Sequence, residues 1–310
     1  YIVAFGKYSL DANTSGDYNV GVGYNTLSSN TTGGSNTALG KGTLEDNTSG
    51  SGNTGVGYLA LANNTSASYN TAIGNGVLSY NTTGASNTGM GYNPLSSNTT
   101  GSRNLGIGYG ALDGPDTESD NLAIGYDALG GSIAGGEFNV AIGNYTLDAL
   151  TTGDKNIALG HTAMSGMTTG GTNIAIGYGA LDVETNGWDN IAIGNDALGG
   201  ASMSGGYGNA AVGSYSLDAV TSGDYNSGFG YSSLGSVTTG NYNVGLGGYS
   251  GSVTTGNYNT SVGYSSGYVT TGSNNTMVGY SADPSGNSGT NQTVIGSNAD
   301  GQADNSVTLG

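Results

Sequence analysis

One 17-residue phrase recurs through this chain, and whatever fold the chain adopts must accept that phrase at every occurrence. Residues 81–97 read NTTGASNTGMGYNPLSS, and residues 98–114 read NTTGSRNLGIGYGALDG. With the glycine of the pattern N-x-[AG]-[IVL]-G as anchor, the phrase returns at Gly6, Gly23, Gly40, Gly57, Gly74, Gly91, Gly108 and Gly125, 17 residues apart each time. It continues through Gly143, Gly160, Gly177, Gly194, Gly213, Gly230, Gly247, Gly263, Gly279 and Gly296 to Gly310 in steps of 14 to 19. Repetition throughout leaves no room for an intervening globular domain and points to stacked units that each contact only their neighbours.

Each place in the repeat has its own chemistry. The residue before the anchor is apolar in all nineteen copies, among them Phe5, Val22, Leu39, Ile73, Met90, Ile124 and Leu309, and is expected to face inward. Four residues after the anchor runs a second apolar row: Leu10, Leu27, Leu44, Leu61, Leu78, Leu95, Leu112, Leu129 and Leu147, then Met164, Leu181, Leu198, Leu217 and Leu234. This is the expected core ladder. Four residues before the anchor stands Asn19, Asn36, Asn53, Asn70, Asn87, Asn104, Asn121, Asn139, Asn156, Asn173 and Asn190, and so on to Asn275, sixteen copies in all. A stacked Asn can hydrogen-bond to its counterparts above and below and satisfy a buried turn.

From that Asn to the anchor the residues alternate large and small, as in NIAIG at 173–177, which is the period of a strand. Most copies place a Gly seven residues before the anchor, where a turn with positive φ is expected. No 3.6-residue period is present, and Gly, Asn and Thr are poor helix formers. Two short strands per 17 residues, returning to one register, describe an all-β chain: a parallel β-solenoid or β-roll of about 18 coils. Residues 1–234 hold the regular repeats. In 235–310 most copies are shorter and the leucine row ends, with Tyr249, Val253 and Val269 nearby, so the cross-section is expected to change there.

Composition narrows the partners. The 310 residues include 62 Gly and only 8% charged residues, yet 22 Tyr at regular positions argue against disorder. Twenty-one acidic against four basic residues give a net charge of -17, which opposes binding to nucleic acid or insertion at an anionic membrane. Without Cys there is neither a disulfide frame nor a thiolate metal site. No apolar run approaches the ~20 residues of a membrane span. The opening Tyr1 in place of Met marks an expected processed product or a piece of a longer protein. Apolar burial within one coil is small against the entropy of ordering 17 residues, so several chains are expected to pack side by side.

Candidate sites are few, and each has a plainer explanation. Tyr24, Tyr58, Tyr92, Tyr109, Tyr126, Tyr178, Tyr231, Tyr264 and Tyr280 follow the anchor; such a row can stack on sugars, but stacking between coils explains it as well. A second aromatic set, Tyr18, Tyr69, Phe138, Tyr225, Tyr242 and Tyr258, lies near the loop, and Trp188, one place earlier in its copy, is the candidate ligand contact. His161 occupies the tyrosine place and lacks the partners a metal needs. GYSSG at 263–267 mimics a nucleophile elbow without the helix or the following His that the elbow requires. Asp recurs too irregularly, at Asp11, Asp113, Asp148, Asp182 and Asp218, for a calcium ladder. The sequons at Asn13, Asn30, Asn47, Asn63, Asn64, Asn81, Asn98, Asn259, Asn274 and Asn291 are read as by-products of an N-T-T-G turn. No catalytic residue, metal or cofactor is expected.

NTALGK at 36–41, NTAIGN at 70–75 and NLAIGYDAL at 121–129 resemble the repeats of bacteriophage tail fibres. They are also similar to the head repeats of trimeric autotransporter adhesins, and ADNSVTLG at 303–310 resembles the end of such a region. The resemblance implies a trimeric, extracellular fibre on a virion or cell surface. The expectation is therefore a non-enzymatic shaft that associates with itself and supports adhesion or host recognition through multivalent display, with surface glycans as a further partner. Two other readings stand beside it: a self-polymerising extracellular filament and a carbohydrate-binding solenoid. An enzyme on a β-helix is opposed by the scattering of Lys7, Lys41, Arg103 and Lys155.

Overall fold

The computed structural model describes every residue except 115–116, 133, 201–204 and 269–270, so that Val269 lies outside the described residues. Two units emerge, Tyr1–Lys155 and Asn156–Gly310. Each is a parallel β-solenoid, and about 18 coils are present in total. In the first unit nine strands, β1 (Ile2–Phe5) to β9 (Val140–Ile142), form a parallel sheet in sequence order, and in the second ten strands, β10 (Ile157–Leu159) to β19 (Val307–Leu309), do the same. Register places like on like: Thr54, Gly55 and Val56 pair with Thr71, Ala72 and Ile73. In the second unit Ile157, Ala158 and Leu159 pair with Ile174, Ala175 and Ile176.

Each coil has one strand of three to five residues rather than the two expected. The remainder of the coil is a chain of turns, because residues there take left-handed φ. Leu27 sits at 51°, Leu44 at 53° and Leu61 at 55°, as does the row on to Leu147 at 51°, and such a residue cannot continue a strand. These turns are still paired coil to coil. The Leu27 N–H donates to Thr43 O at 3.2 Å, Leu44 to Ala60 O at 3.0 Å and Thr31 to Thr48 O at 2.9 Å. Left-handed φ costs about 1–2 kcal/mol for a non-glycine residue. Complete burial of Leu27, Leu44, Leu61, Leu78, Leu95, Leu112, Leu129 and Leu147 offsets that cost at each rung.

The sheet faces the opposite way from the expectation. Its inward place is the small central residue: Ala38, Ala72, Ala123, Ala141, Ala158, Ala175 and Ala192 are wholly buried. The apolar residue before the anchor points out, leaving Leu39 47% and Met90 45% exposed. The interior is too narrow for a large side chain on the strand. A Cβ at Gly21 would already lie 2.6 Å from Ser9 Oγ and 3.3 Å from Leu10 Cδ1. Because strand side chains alternate, fixing Ala or Gly inward forces both flanking residues out.

The anchor glycines have φ near 130–144°, and a Cβ at Gly57 would overlap the carbonyl oxygen of Gly74 in the next coil. The glycines seven residues earlier are explained differently from the expectation: Gly33 and Gly50 do not have positive φ. A Cβ there would meet the carbonyl of the next coil and, at Gly33, lie 2.6 Å from Asn30 Oδ1. After Leu234 the inner rows change together. Gly251 and Gly267 replace Leu in the core row, while the inward strand place grows from Ala or Gly to Ser261, Met277 and Val294, all buried.

Gly57→Ala is expected to destabilise the first unit by more than about 4 kcal/mol, since backbone must move. Gly135→Ala, at φ 127° with nothing within 4 Å of the added carbon, is expected to cost only about 1–2 kcal/mol of conformational strain. Chemical denaturation of the two variants checks the difference, and equal losses would rule out coil-to-coil contact as the reason for the anchor.

Candidate functional site

The outward residues of the strands make the most extensive feature of either unit. In the second unit Ile157, Ile176, Ile191, Ile193, Val244 and Leu246 stand on this face, each more than a third exposed. Exposed Leu39, Met90 and Ile142 continue the same places in the first unit. Beside this stripe runs the row after the anchor, with Tyr92, Tyr109 and Tyr126 stacked at 5.3 and 4.9 Å, nearly coplanar. His161 stacks on Tyr178 at 5.5 Å, filling the tyrosine place with another flat ring. Soluble monomers seldom leave contiguous apolar patches this long in water.

The asparagines form a ladder, though not chiefly by amide-to-amide bonds. Each Oδ1 accepts the backbone N–H of the next Asn, as Asn53 does from Asn70 at 2.9 Å and Asn70 from Asn87 at 2.8 Å. Each Nδ2 donates to a carbonyl at the end of the coil's turn, as Asn70 does to Gly84 O at 2.9 Å and Asn190 to Gly206 O at 2.7 Å. All eleven from Asn19 to Asn190 are buried. A second ladder is hidden in the sequons. Asn30, Asn47, Asn64, Asn81 and Asn98 are wholly buried, each donating to the Oδ1 of its predecessor at 2.7–3.0 Å. Their amides are occupied, so they are not glycan acceptors in the folded chain. Later in the chain the same place holds buried Leu150, Met167, Val220, Val237 and Val253.

Glu184 breaks that apolar corner: it is wholly buried, and its Oε1 accepts N–H bonds from Asn186 and Gly205 at 3.0 and 3.2 Å. Burial pushes its pKa up. Two similar Asp arrangements occur, one in each unit. The Asp113 and Asp127 carboxylates flank Gly110, and those of Asp182 and Asp196 flank Gly179. Burial and then the neighbouring carboxylate raise the pKa of Asp113 and of Asp182, and burial likewise raises Asp148 and Asp218. Among the described residues no three such side chains are placed to hold a metal ion.

Trp188 lies in a turn, 39% exposed, its strand-like backbone paired with Tyr207. Tyr225, Tyr242 and Tyr258 stack in sequence at 5.2 and 5.1 Å. All three take left-handed φ near 54–58° and are about half exposed.

Asn70→Ala is expected to cost about 2 kcal/mol, because the Asn87 N–H is left buried and unpaired while the Gly84 carbonyl keeps only the Asn81 Nδ2 donor. Thr32→Ala, on the exposed side of the turn, is expected to stay within about 0.5 kcal/mol; denaturant titration compares them. The raised carboxylates set a second expectation. A group whose folded pKa is raised stabilises the fold when protonated, fully so below the ordinary carboxylate value near ~4, and that contribution is lost as pH rises through the folded value. Asp120, held down by Arg103, and Asp304, held down by the Thr290 N–H, act oppositely, but both lie at the surface, Asp120 about a quarter exposed and Asp304 fully in solvent reach, and are weak. The melting temperature is therefore expected to be higher near pH 5 than near pH 8. Asp113→Asn and Asp182→Asn are expected to raise the value at pH 8 and flatten the slope, and a slope of the opposite sign would contradict this. In comparison with known proteins, the chain matches no protein-family model and no curated sequence.

Proposed function

We propose that the chain is a non-enzymatic structural shaft, displayed outside a cell or virion, whose copies associate side by side and present repeated surfaces for adhesion or host recognition. The observation that carries this reading is the outward apolar stripe of the sheet, continued rung after rung in each unit and bordered by half-exposed tyrosines. A narrow interior of Ala, Asn, the Leu row and, later in the chain, a corner row of Leu, Met and Val buries modest apolar surface per coil, while the Ile, Val, Leu and Met side chains flanking the strand centre face out. Burying that stripe against further copies is the largest hydrophobic gain open to the molecule. A closed ring of three chains would cover one stripe from every copy without leaving an open edge. The reading agrees with the resemblance of the repeats to tail fibres and trimeric adhesin heads.

Mass measurement in solution together with electron microscopy tests it. The expected result is a discrete assembly of three chains that Ile176→Asp with Leu246→Asp converts to monomer, the far-UV circular dichroism remaining that of the parent. Indefinite filaments would shift the reading to a self-polymerising extracellular fibre. A monodisperse monomer at high concentration would overturn side-by-side association.

A further inference from the structure

We infer that the second unit carries a saccharide-binding groove between Ser232 and Asp283, suited to a neutral oligosaccharide of two or three hexose rings. The groove has a volume of about 520 Å³, and its walls include Tyr249, Tyr264, Tyr268, Ser252, Ser265 and Asp283. It is a product of the altered repeats. Up to Leu234 every coil has a large side chain four residues after the anchor; from there the place is taken by Gly251 and Gly267. The two following coils are also one residue shorter, 16 from Gly247 to Gly263 and 16 from Gly263 to Gly279. The missing residue comes from the turn after the anchor: GYSSLGSVTTG at 230–240 becomes GGYSGSVTTG at 247–256. The wall moves inward where Leu and one residue of turn are lost. A Cβ at Gly251 would lie 2.5 Å from Leu234 Cδ2, and one at Gly267 would lie 2.8 Å from Met277 Cε.

What is left in the recess suits a sugar. Tyr249 and Tyr264 meet edge to face at 5.8 Å and 78°, so their ring faces point in different directions, and Tyr268 is 59% exposed. Such rings offer flat apolar faces with a polar tip, the match for a pyranose whose C–H bonds lie on one face and hydroxyls on the rim. Serine hydroxyls both donate and accept, and a carboxylate accepts from vicinal hydroxyls. The polar groups are held in place before any ligand arrives. Ser252 Oγ donates to Ser236 Oγ at 3.1 Å, and Asp283 Oδ1 accepts the Tyr268 N–H at 2.8 Å. The backbone of Asp283 is fixed by pairing with Asp300. Prior order of this kind lowers the cost of binding.

Length and charge define the ligand class. The lining residues come from four successive coils, three steps of ~4.8 Å and so about 14 Å in all, the span of two or three hexose rings. Asp283 in the wall and a net charge of -17 oppose sulfated, sialylated or phosphorylated sugars. A smaller groove of about 320 Å³ in the first unit, with Glu45, Asp46 and Tyr80 in its wall, has one ring and two carboxylates and lacks the paired aromatic faces.

The site deepens the display reading and rests on it, because a displayed shaft with such a groove can itself grip a surface glycan; the two fail separately. Maltotriose, cellotriose and triacetylchitotriose, titrated in turn into the intact chain and followed by tyrosine fluorescence and ligand-observed NMR, test it. At least one is expected to bind with a dissociation constant on the order of 1 mM. Tyr268→Ala and Asp283→Asn are each expected to weaken it about tenfold, with Trp188→Ala having no effect. Tyr268→Phe is expected to retain most of the binding, separating ring from hydroxyl and guarding against a misfolded variant. No binding of any of the three at 10-fold above that concentration, or binding that Trp188→Ala abolishes and the groove variants leave unchanged, overturns the site. Loss of binding with self-association intact removes the groove alone, and binding retained by a monomeric chain removes the shaft reading alone.

Discussion

The Cα of Gly57 lies so close to the carbonyl of Gly74 that no side-chain carbon fits between them, and the same contact is repeated at Gly6, Gly23, Gly40, Gly74 and on along each unit. This backbone approach sets the rest of the coil. With the anchor pinned, the three residues before it are drawn into parallel pairing, and the Asn four places earlier is brought under its counterpart, where Oδ1 accepts the next N–H. Parallel strands need a long connection between them. Here the connection is the rest of the same coil, and its own N–H groups donate to the next coil too. The polar backbone is thereby satisfied without a helix, and side chains are free to do little more than fill a narrow interior.

Period, strand position, leucine row and asparagine row were all legible in the sequence, because each depends on a residue type that recurs at a fixed distance from the anchor. Which way the strand faced was not. A place that is apolar in every copy reads as interior, yet Leu39, Met90 and Leu246 face outward, and the residue that is inside, Ala or Gly, leaves no hydrophobic signal. The misreading has a physical root. In a large domain the core takes the large side chains; in a coil this narrow, Leu27 and its successors already fill the space, as the close approach of Leu10 to a Cβ at Gly21 shows. The second strand was lost for a related reason, since left-handed φ at a leucine cannot be anticipated from a residue that ordinarily avoids it. The buried ladder from Asn30 to Asn98 was present in the sequence as sequons, and equal spacing at 17 residues was the signal that it was a structural row. Trp188, singled out for its place near the loop, is 39% exposed there, and the groove in the second unit lay in glycines and in a deletion, which leave only weaker repeats in the sequence.

The interior keeps its rows buried while the residues in them change. Where the corner row passes from Asn98 to Leu150, Met167 and Val220, hydrogen bonding along the row gives way to apolar packing. Where the leucine row ends, Met277 and Val294 enlarge the strand's inward place. Each change is settled between neighbouring coils, as where a Cβ at Gly267 would meet Met277 Cε of the next coil, because a coil contacts only the coils above and below it. Glu184 shows the limit of this freedom. A carboxylate in an apolar corner keeps its position only by accepting the Asn186 and Gly205 N–H groups, and its pKa rises with burial.

Length variation obeys the same logic and shows where this fold can acquire new properties. The step from Gly125 to Gly143 is 18 residues and that from Gly194 to Gly213 is 19, yet Ala123 still pairs with Ala141 and Ile193 with Val212. In the sequence the extra residues fall after the leucine row, between Leu129 and Asn139 and between Leu198 and Asn209, and the strand register is unchanged. Shortening acts at the same corner, where the loss of one residue and of Leu opens the recess beside Tyr249 and Tyr264. Strand and anchor are thus held by contacts with two neighbours at once, whereas the turn after the core row, paired coil to coil through its backbone, is anchored inward by the core-row side chain. Removing that side chain changes the surface without disturbing the ladder. An outward apolar sheet suited to association and a corner free to vary in depth therefore lie on separate walls of the coil, so that a change in what the chain grips need not alter what it packs against.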